Sequence, residues 1–393
     1  MVESNIKNIS KNLQGDKIIW AIVIVLSLFS ILLVYSSTSA LAYKSAGGDN
    51  ERILLKHIFL ILLGLGAMYI CHKIDYRYYA RLSRFALIAS ALLLIFALKF
   101  GMTVNEASRW ILIPFVNQSF QPADLAKLAL IVNLASMLSK RQNSIQDFQK
   151  AIVPMLIWCG VICGLIAMSD FSSGVLLFLT CGLIMFIGRV PFKYLGTLAV
   201  VGLIAGMLAF TFGQRGRTVS SRLEMYSSTD DKLPFHAQQS NIAIALGGFA
   251  GQGLGNSIQR NFLPHAYSDF IFAIVVEEYG FIGAVVIIGL YLLLLYRGML
   301  IVGRSRGSFG ALLASGLVFS LILQAFIHMA VVVGIVPITG LPLPLLSMGG
   351  TSLLFTGMTM GILVSVSRVG STEDKVDLLK ATIQKANYSA VRN

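Results

Sequence analysis

Apolar residues along this chain come in runs of about twenty, separated by short clusters of charged and polar positions. As helices rising about 1.5 Å per residue, such runs match the roughly 30 Å hydrocarbon thickness of a bilayer. Ten candidate spans follow, at 18–40, 55–72, 84–100, 122–138, 151–169, 172–188, 194–212, 269–296, 308–334 and 347–367. The fourth is short and carries Asp124, Lys127 and Asn133 within its apolar stretch. The pattern predicts an all-α polytopic membrane protein with about ten transmembrane helices.

Basic residues set its orientation. Lys7, Lys11 and Lys17 precede the first span; Lys73, Arg77, Arg81 and Arg84 follow the second; Lys140, Arg141 and Lys150 follow the fourth. Arg189 and Lys193 separate spans six and seven, Arg297, Arg304 and Arg306 separate eight and nine, and Arg368 follows the tenth. With ten spans every cluster falls on one side, the cytoplasmic side by the positive-inside bias, and both termini are cytoplasmic. The chain then divides into a cytoplasmic segment 1–17, a ten-span domain 18–368 with a large outer loop 213–268, and a polar tail 369–393 suited to a short helix or to disorder. Arg215, Arg217, Arg222, Lys232 and Arg260 in that loop run against the bias, but long loops translocate regardless of charge. These bases face either an anionic substrate or lipid headgroup, or simply solvent.

Composition agrees. Of 393 residues, 56% are hydrophobic and only 12% charged, whereas a soluble domain carries about a quarter charged residues. Mean hydropathy is +0.78. The net charge of +13 would suit a nucleic-acid binder, yet no zinc finger or RNA-binding motif is present and membrane topology explains the charge. Cys71, Cys159, Cys163 and Cys181 lie in or beside apolar runs and read as small packing residues. No cleavable signal peptide is apparent, because the first run is long enough to remain as a span.

Distinctive polar residues gather on the outer side. In "RNFLPHAYSDFIFAIVVEEYG", Asp269 opens the eighth span at the water boundary, while Glu277 and Glu278 fall inside the membrane zone. An ionised group there needs a cavity or a partner. On a continuous helix, Glu277 would point about 80° from Asp269 and Glu278 nearly opposite, so the spacing builds no two-carboxylate site on one face. Asp269 can accept a proton or bind a cation; equally, it can be a carboxylate at a helix N-terminus. The glutamates suit interhelical packing or pairing with buried bases.

Before span four stands "RWILIPFVNQSFQPADLAKLAL" from Arg109. Pro122 can open a helix, and Asp124 and Lys127 sit one turn apart, able to pair. Arg109 and Lys127 can neutralise a diphosphate or form structural ion pairs. In "SDFSSG", Asp170 and its neighbouring hydroxyls can cap a helix or touch a polar substrate. The glycine-rich "QQSNIAIALGGFAGQGLGNS" lacks the Gly-Lys-Ser/Thr ending of a phosphate-binding loop and faces away from the ATP-rich side, which excludes a nucleotide-driven pump. "GIVPITGLPLPLLSMGGTSL" interrupts the approach to span ten and suits a hinge, a re-entrant wall or a rigid loop.

Together "FLPHAYSDFIFAIVVEEYG" and "VPITGLPLPLLSMGG" closely resemble the signatures of the bacterial shape, elongation, division and sporulation (SEDS) family. The resemblance extends through "RW", "QPADLAK", "SDFSSG" and the glycine-rich loop, in family order, over roughly residues 18–368. "GLGNS" is more similar to the division branch than to the elongation branch. Departures are Asp124 where the family usually has glutamate, "SDFSSG" in place of a proline-aspartate-leucine-glycine pattern, and Met348 where an aromatic is common.

The resemblance implies a ten-span peptidoglycan glycosyltransferase that polymerises lipid II into glycan strands at the outer face of the bacterial cytoplasmic membrane, at the division septum. It implies Asp269 as catalytic general base, contacts to substrate from Arg109 and Lys127 with Arg215, Arg217 and Arg222 as further electrostatic contacts, and supporting roles for Asp124, Glu277 and Glu278. A divalent cation, Mg2+ or Mn2+, with Asp269 as a ligand, is the only cofactor expected; no nucleotide or organic cofactor is. Implied partners are lipid II and the growing lipid-linked glycan, a cognate class B penicillin-binding protein transpeptidase and regulatory division proteins, and no nucleic acid. A lipid II flippase, a scaffold whose activity resides in a partner, and an elongation-type glycosyltransferase are the competing readings.

Overall fold

The computed structural model describes residues 14–45, 50–104, 107–113, 118–212 and 235–390. Each of the ten apolar runs is a helix: α1 (Lys17–Ser45), α2 (Asn50–Lys73), α3 (Tyr76–Phe100), α4 (Pro122–Lys140), α5 (Val153–Ser169), α6 (Phe171–Ile187), α7 (Phe192–Phe212), α9 (Ile271–Arg304), α10 (Ser308–Val332) and α11 (Thr351–Ala390). An eleventh helix, α8 (Phe235–Gly247), lies in the long connection between α7 and α9. Among the described residues nine helices are long and apolar enough to cross a membrane, and α6 adds a tenth of 17 residues. An even number of crossings returns the chain to its starting side.

Several boundaries move for physical reasons. Helix α3 starts at Tyr76 rather than near 84, because the Asp75 carboxylate accepts the Arg77 amide and caps it; Arg77, Arg81 and Arg84 therefore sit on the helix rather than before it. Pro122 occupies the first turn of α4, as expected. The polar residues of α4 are tolerated because this helix is the centre of the bundle, buried along most of its length. There Asn133 Nδ2 donates to Ser83 Oγ at 3.2 Å. Helices α2 and α11 touch backbone to backbone: a β-carbon at Gly357 would collide with the Gly64 carbonyl, the close approach that small residues permit in membranes.

The segment between α3 and α4 is not wholly irregular. It forms a three-stranded antiparallel meander, β1 (Met102–Val104), β2 (Ala107–Ile113) and β3 (Gln118–Phe120), with Leu112 opposite Ser119. Trp110 and Leu112, two residues apart, share a face by the strand period. Arg215, Arg217, Arg222 and Lys232 lie outside the described residues.

Helix α9 is not continuous. Gly280 adopts φ 66 and ψ −161 inside it, a conformation open to glycine. A β-carbon there would collide with Phe249 O and Gly251 N of the glycine-rich loop. That loop docks on the break, with the Gln252 and Gly253 amides donating to the carbonyls of Glu277 and Glu278 at 2.9 and 3.0 Å. The expectation of one unbroken helix from Asp269 is thus corrected: a short stretch precedes Gly280 and a membrane-long one follows it.

Candidate active site

A cavity of about 620 Å³ opens among β2, α2, α4, α6, α10 and the start of α11. Four separate stretches of sequence meet there: Arg109 and Trp110; Gln121, Asp124 and Lys127; Asp170 and Ser173; Ser268 and Asp269. Gly340, Pro342 and the run Met348–Gly350 close the fifth side. Apolar Leu60, Leu128, Ile131, Leu321 and Phe355 share the lining with these polar groups.

Asp269 stands outside the helix it was expected to begin. The first helical residue is Ile271, and the capping position is Phe270, which supplies no side-chain cap. Asp269 instead closes a tight turn, its amide donating to His265 O at 3.0 Å. Its carboxylate accepts from the Ser268 hydroxyl at 3.1 Å and has no cation partner among the described residues. The reading as a helix-terminal carboxylate is therefore corrected. A β-carbon at Gly340 would lie 3.5 Å from Asp269 Oδ2, so the glycine leaves that face of the carboxylate open.

The turn is held from behind. Ser347 Oγ donates to Ser268 O at 2.6 Å, and the Met348 amide donates to Tyr267 O at 2.9 Å. The proline-rich segment that carries Ser347 is in turn fixed carbonyl by carbonyl. His328 Nδ1 donates to Leu341 O at 2.7 Å, Gln324 Nε2 to Pro342 O at 2.8 Å, Tyr291 OH to Pro344 O at 2.5 Å and Ser30 Oγ to Leu346 O at 2.7 Å. Irregular backbone at this depth survives only where its polar groups find such partners. Of the hinge, re-entrant wall and rigid loop readings, this bonding disfavours the hinge.

The expected cations reach the cavity already engaged. Arg109 Nη1 meets Asp170 Oδ2 at 3.2 Å, and Lys127 Nζ meets Asp124 Oδ1 at 3.2 Å. Asp170 also caps α6 through the Ser173 amide at 3.2 Å, the capping role expected of it. Two atoms remain buried without a partner, Arg109 Nε and Asp124 Oδ2. Beside Asp269, the Tyr267 phenol is pushed above its ordinary value by burial and then by the Asp269 carboxylate.

Glu277 and Glu278 do not join the cavity. Glu277, fully buried, accepts from the Ser257 hydroxyl and from the Ile258 and Gln259 amides at 2.9 and 3.1 Å. Its expected basic partner is absent among the described residues; backbone amides replace it. Glu278 accepts from Ser36 Oγ, and Arg260 donates to Ser36 O at 3.1 Å. Both glutamates thus fasten the glycine-rich loop.

Sequence reasoning missed Lys56, His265, Tyr267, Ser320 and Gln324 as lining residues. His265 and Tyr267 stood within the quoted "PHAYSD" and were legible as near neighbours of Asp269; nothing in the apolar surroundings of Ser320 and Gln324 marked them. No group of three or more His, Cys, Asp or Glu side chains converges as a metal site among the described residues.

Comparison with known proteins adds the rest. The family model described as "Cell cycle protein", covering FtsW, RodA and SpoVE, matches residues 16–372. A probable peptidoglycan glycosyltransferase FtsW of a Geobacter species is 36% identical over 363 residues, 90% of this chain and 96% of that protein. One chain of a solved peptidoglycan synthase complex, described as coordinating polymerization and crosslinking, aligns with a TM-score of 0.70 at 26% identity over 90% of this chain and 98% of its own. A rod shape determining protein RodA of Thermus thermophilus shares the fold with a TM-score of 0.67 at 23% identity, covering 90% and 97%.

Proposed function

The chain belongs to the FtsW, RodA and SpoVE family of cell cycle proteins, and from that premise we propose that it polymerises lipid II into glycan strands at the outer face of the bacterial cytoplasmic membrane during septal wall synthesis. Family membership and the relatives make it a multi-pass membrane protein and a peptidoglycan glycosyltransferase of cell-wall synthesis. The observation that carries the finer reading is Asp269: a carboxylate with one hydroxyl partner and no cation, facing a cavity of mixed polar and apolar lining.

In the proposed reaction the C4 hydroxyl of the N-acetylglucosamine unit on one lipid II attacks C1 of N-acetylmuramic acid on the growing lipid-linked chain. Asp269 takes the hydroxyl proton as the O4–C1 bond forms. The C1–O bond to phosphate breaks, undecaprenyl diphosphate leaves, and an alpha linkage becomes beta. Arg109 and Lys127 retain unspent N–H donors beyond their carboxylate partners and face the developing diphosphate charge. Asp124 and Asp170 hold these cations in place, while Glu277 and Glu278 secure the loop behind Asp269. Arg215, Arg217 and Arg222 remain proposed electrostatic contacts. A single carboxylate with substrate diphosphate oxygens suits the way Mg2+ is commonly held; such an ion, or Mn2+, would help neutralise the leaving group. The proposed partners are a class B penicillin-binding protein transpeptidase and division regulators.

Labelled lipid II polymerisation by the purified protein with its transpeptidase tests this. Wild-type glycan ladders that vanish in correctly assembled Asp269→Ala and Asp269→Asn are the expected result. Equal ladders would remove Asp269 from the chemistry. No wild-type polymer, with protein-dependent transbilayer movement of lipid II, would transfer the assignment to a flippase.

A further inference from the structure

The described part of the cavity carries three lysine or arginine cations, Lys56, Arg109 and Lys127, and three carboxylates, Asp124, Asp170 and Asp269. Two cations and two carboxylates neutralise each other at 3.2 Å. What remains is one unmatched carboxylate, Asp269, and one unmatched cation, Lys56, which has no carboxylate partner among the described residues. Opposite charges left free around one cavity suit two different substrate groups. Asp269 suits a group that gives up a proton; Lys56 suits one that carries negative charge.

Lys56 is exposed, and its place on α2 is set by its neighbours. On α2, Lys56 and Leu60 are one turn apart, share a face and both line the cavity. Gly64, another turn along that face, makes the backbone contact with α11, so the seam between these helices aims Lys56 at the outer end of α11. His57 fixes the rotation. Ser30 Oγ spends its only proton on Leu346 O, so the 2.9 Å contact between Ser30 Oγ and His57 Nε2 is donated by the imidazole. His57 is fully buried, and through Ser30 it ties α2 to the proline-rich wall.

We propose that Lys56 is a binding residue for the diphosphate of the lipid-linked substrate, and that His57 positions it. The inference rests on the glycosyltransferase reading. Lysine binds phosphate as a point charge, and a residue free of an ion pair requires no partner exchange when the diphosphate arrives.

The test is a fluorescence titration in nanodiscs with the complex of full chain and transpeptidase. Trp110 lines the cavity and serves as reporter, with Trp20→Phe and Trp158→Phe removing the other two tryptophans of this chain and any partner signal subtracted. The probes are undecaprenyl diphosphate, undecaprenyl monophosphate, inorganic diphosphate and phosphatidylglycerol. Lys56→Met, which keeps length and loses charge, is expected to weaken undecaprenyl diphosphate about 10-fold or more, with Lys56→Arg within about 3-fold of wild type. In polymerisation the same loss is expected in KM more than in kcat. His57→Ala is expected to weaken diphosphate binding by a smaller factor, with His57→Gln restoring it.

Equal affinity of wild type and Lys56→Met for undecaprenyl diphosphate, at unchanged melting temperature, would overturn the proposal. So would equal competition by phosphatidylglycerol, which would make Lys56 a general headgroup anchor, or a loss confined to inorganic diphosphate. Asp269→Asn run in parallel separates the two readings: full polymerisation by that variant would sink the general base while leaving the Lys56 titration to be judged alone.

Discussion

Asp269 and Glu277 lie eight residues apart on one stretch of chain and have opposite fates. Glu277 is fully buried and takes three donors, every one from the loop folded against it. Asp269 is half-buried, has one hydroxyl partner and looks into a cavity. A carboxylate saturated by amides is a fastening, because its lone pairs are spent holding backbone. A carboxylate with lone pairs unspent beside a cavity can accept a proton from whatever enters. For this pair, saturation of the carboxylate by backbone donors on one side and an open cavity on the other separate support from the proposed chemistry.

The sharpest way to break this comparison is to remove one charge from each side. Asp269→Asn is expected to lower polymerisation by roughly 10²–10⁴-fold, the range of general-base loss, with no change in thermal midpoint. Glu277→Ala is expected to do the reverse. Stranding the Ile258 and Gln259 amides and the Ser257 hydroxyl costs roughly 3 kcal/mol or more, read as a lowered midpoint in detergent. A Glu277 variant with unaltered melting but no polymer would erase the distinction.

Gly280→Ala probes the same fastening from the backbone side. A left-handed φ and a β-carbon driven into the docked loop predict about 1–3 kcal/mol of destabilisation, and limited proteolysis should then cut first in the glycine-rich loop. Continued resistance there would show that the loop is held without the break in α9. Smaller still is the coupling of Arg109 to Asp170. A double-mutant cycle with Arg109→Ala and Asp170→Asn should give about 1–2 kcal/mol, and additivity within error would mean the pair is incidental.

The mildest effect concerns Tyr267. Burial and the Asp269 carboxylate raise its phenol above the ordinary value near 10. A phenol kept neutral by folding contributes its stability fully below about pH 10 and loses it as pH rises through the raised value. Tyr267→Phe should therefore stay folded to higher pH than wild type. Asp269→Asn should move the tyrosinate absorbance step of Tyr267 downward, identified by difference from Tyr267→Phe. Superimposable alkaline curves would disconnect the two side chains.

Much of the fold was legible because membrane spans declare themselves by length and apolar content, and all ten runs became helices. The site was legible where polar residues interrupt those runs or sit at their outer ends: Arg109, Asp124, Lys127, Asp170 and Asp269 all reached one cavity. Lys56 escaped because a lone lysine at a span end reads as an interfacial flank. Helix α8 escaped because its 13 residues fall below span length and open on polar "HAQQS". The break at Gly280 was invisible for a different reason. A glycine inside an apolar run is ordinary in a membrane helix, and only the loop that takes up the neighbouring carbonyls makes it a break. Pairing likewise escaped: that Arg109 selects Asp170, sixty-one positions away, is a fact of tertiary proximity.

The wall of prolines has a consequence for synthesis. Its carbonyls are claimed by Ser30, Tyr291, Gln324 and His328, residues that all leave the ribosome before Leu341 does. These partners all precede it in the chain, so it can seat like a keystone among helices synthesised before it. A chain stopped before it would carry Asp269 on a turn with nothing behind it. The cavity beside Asp269 therefore gains its backing only after the first eight spans and α10 have been made.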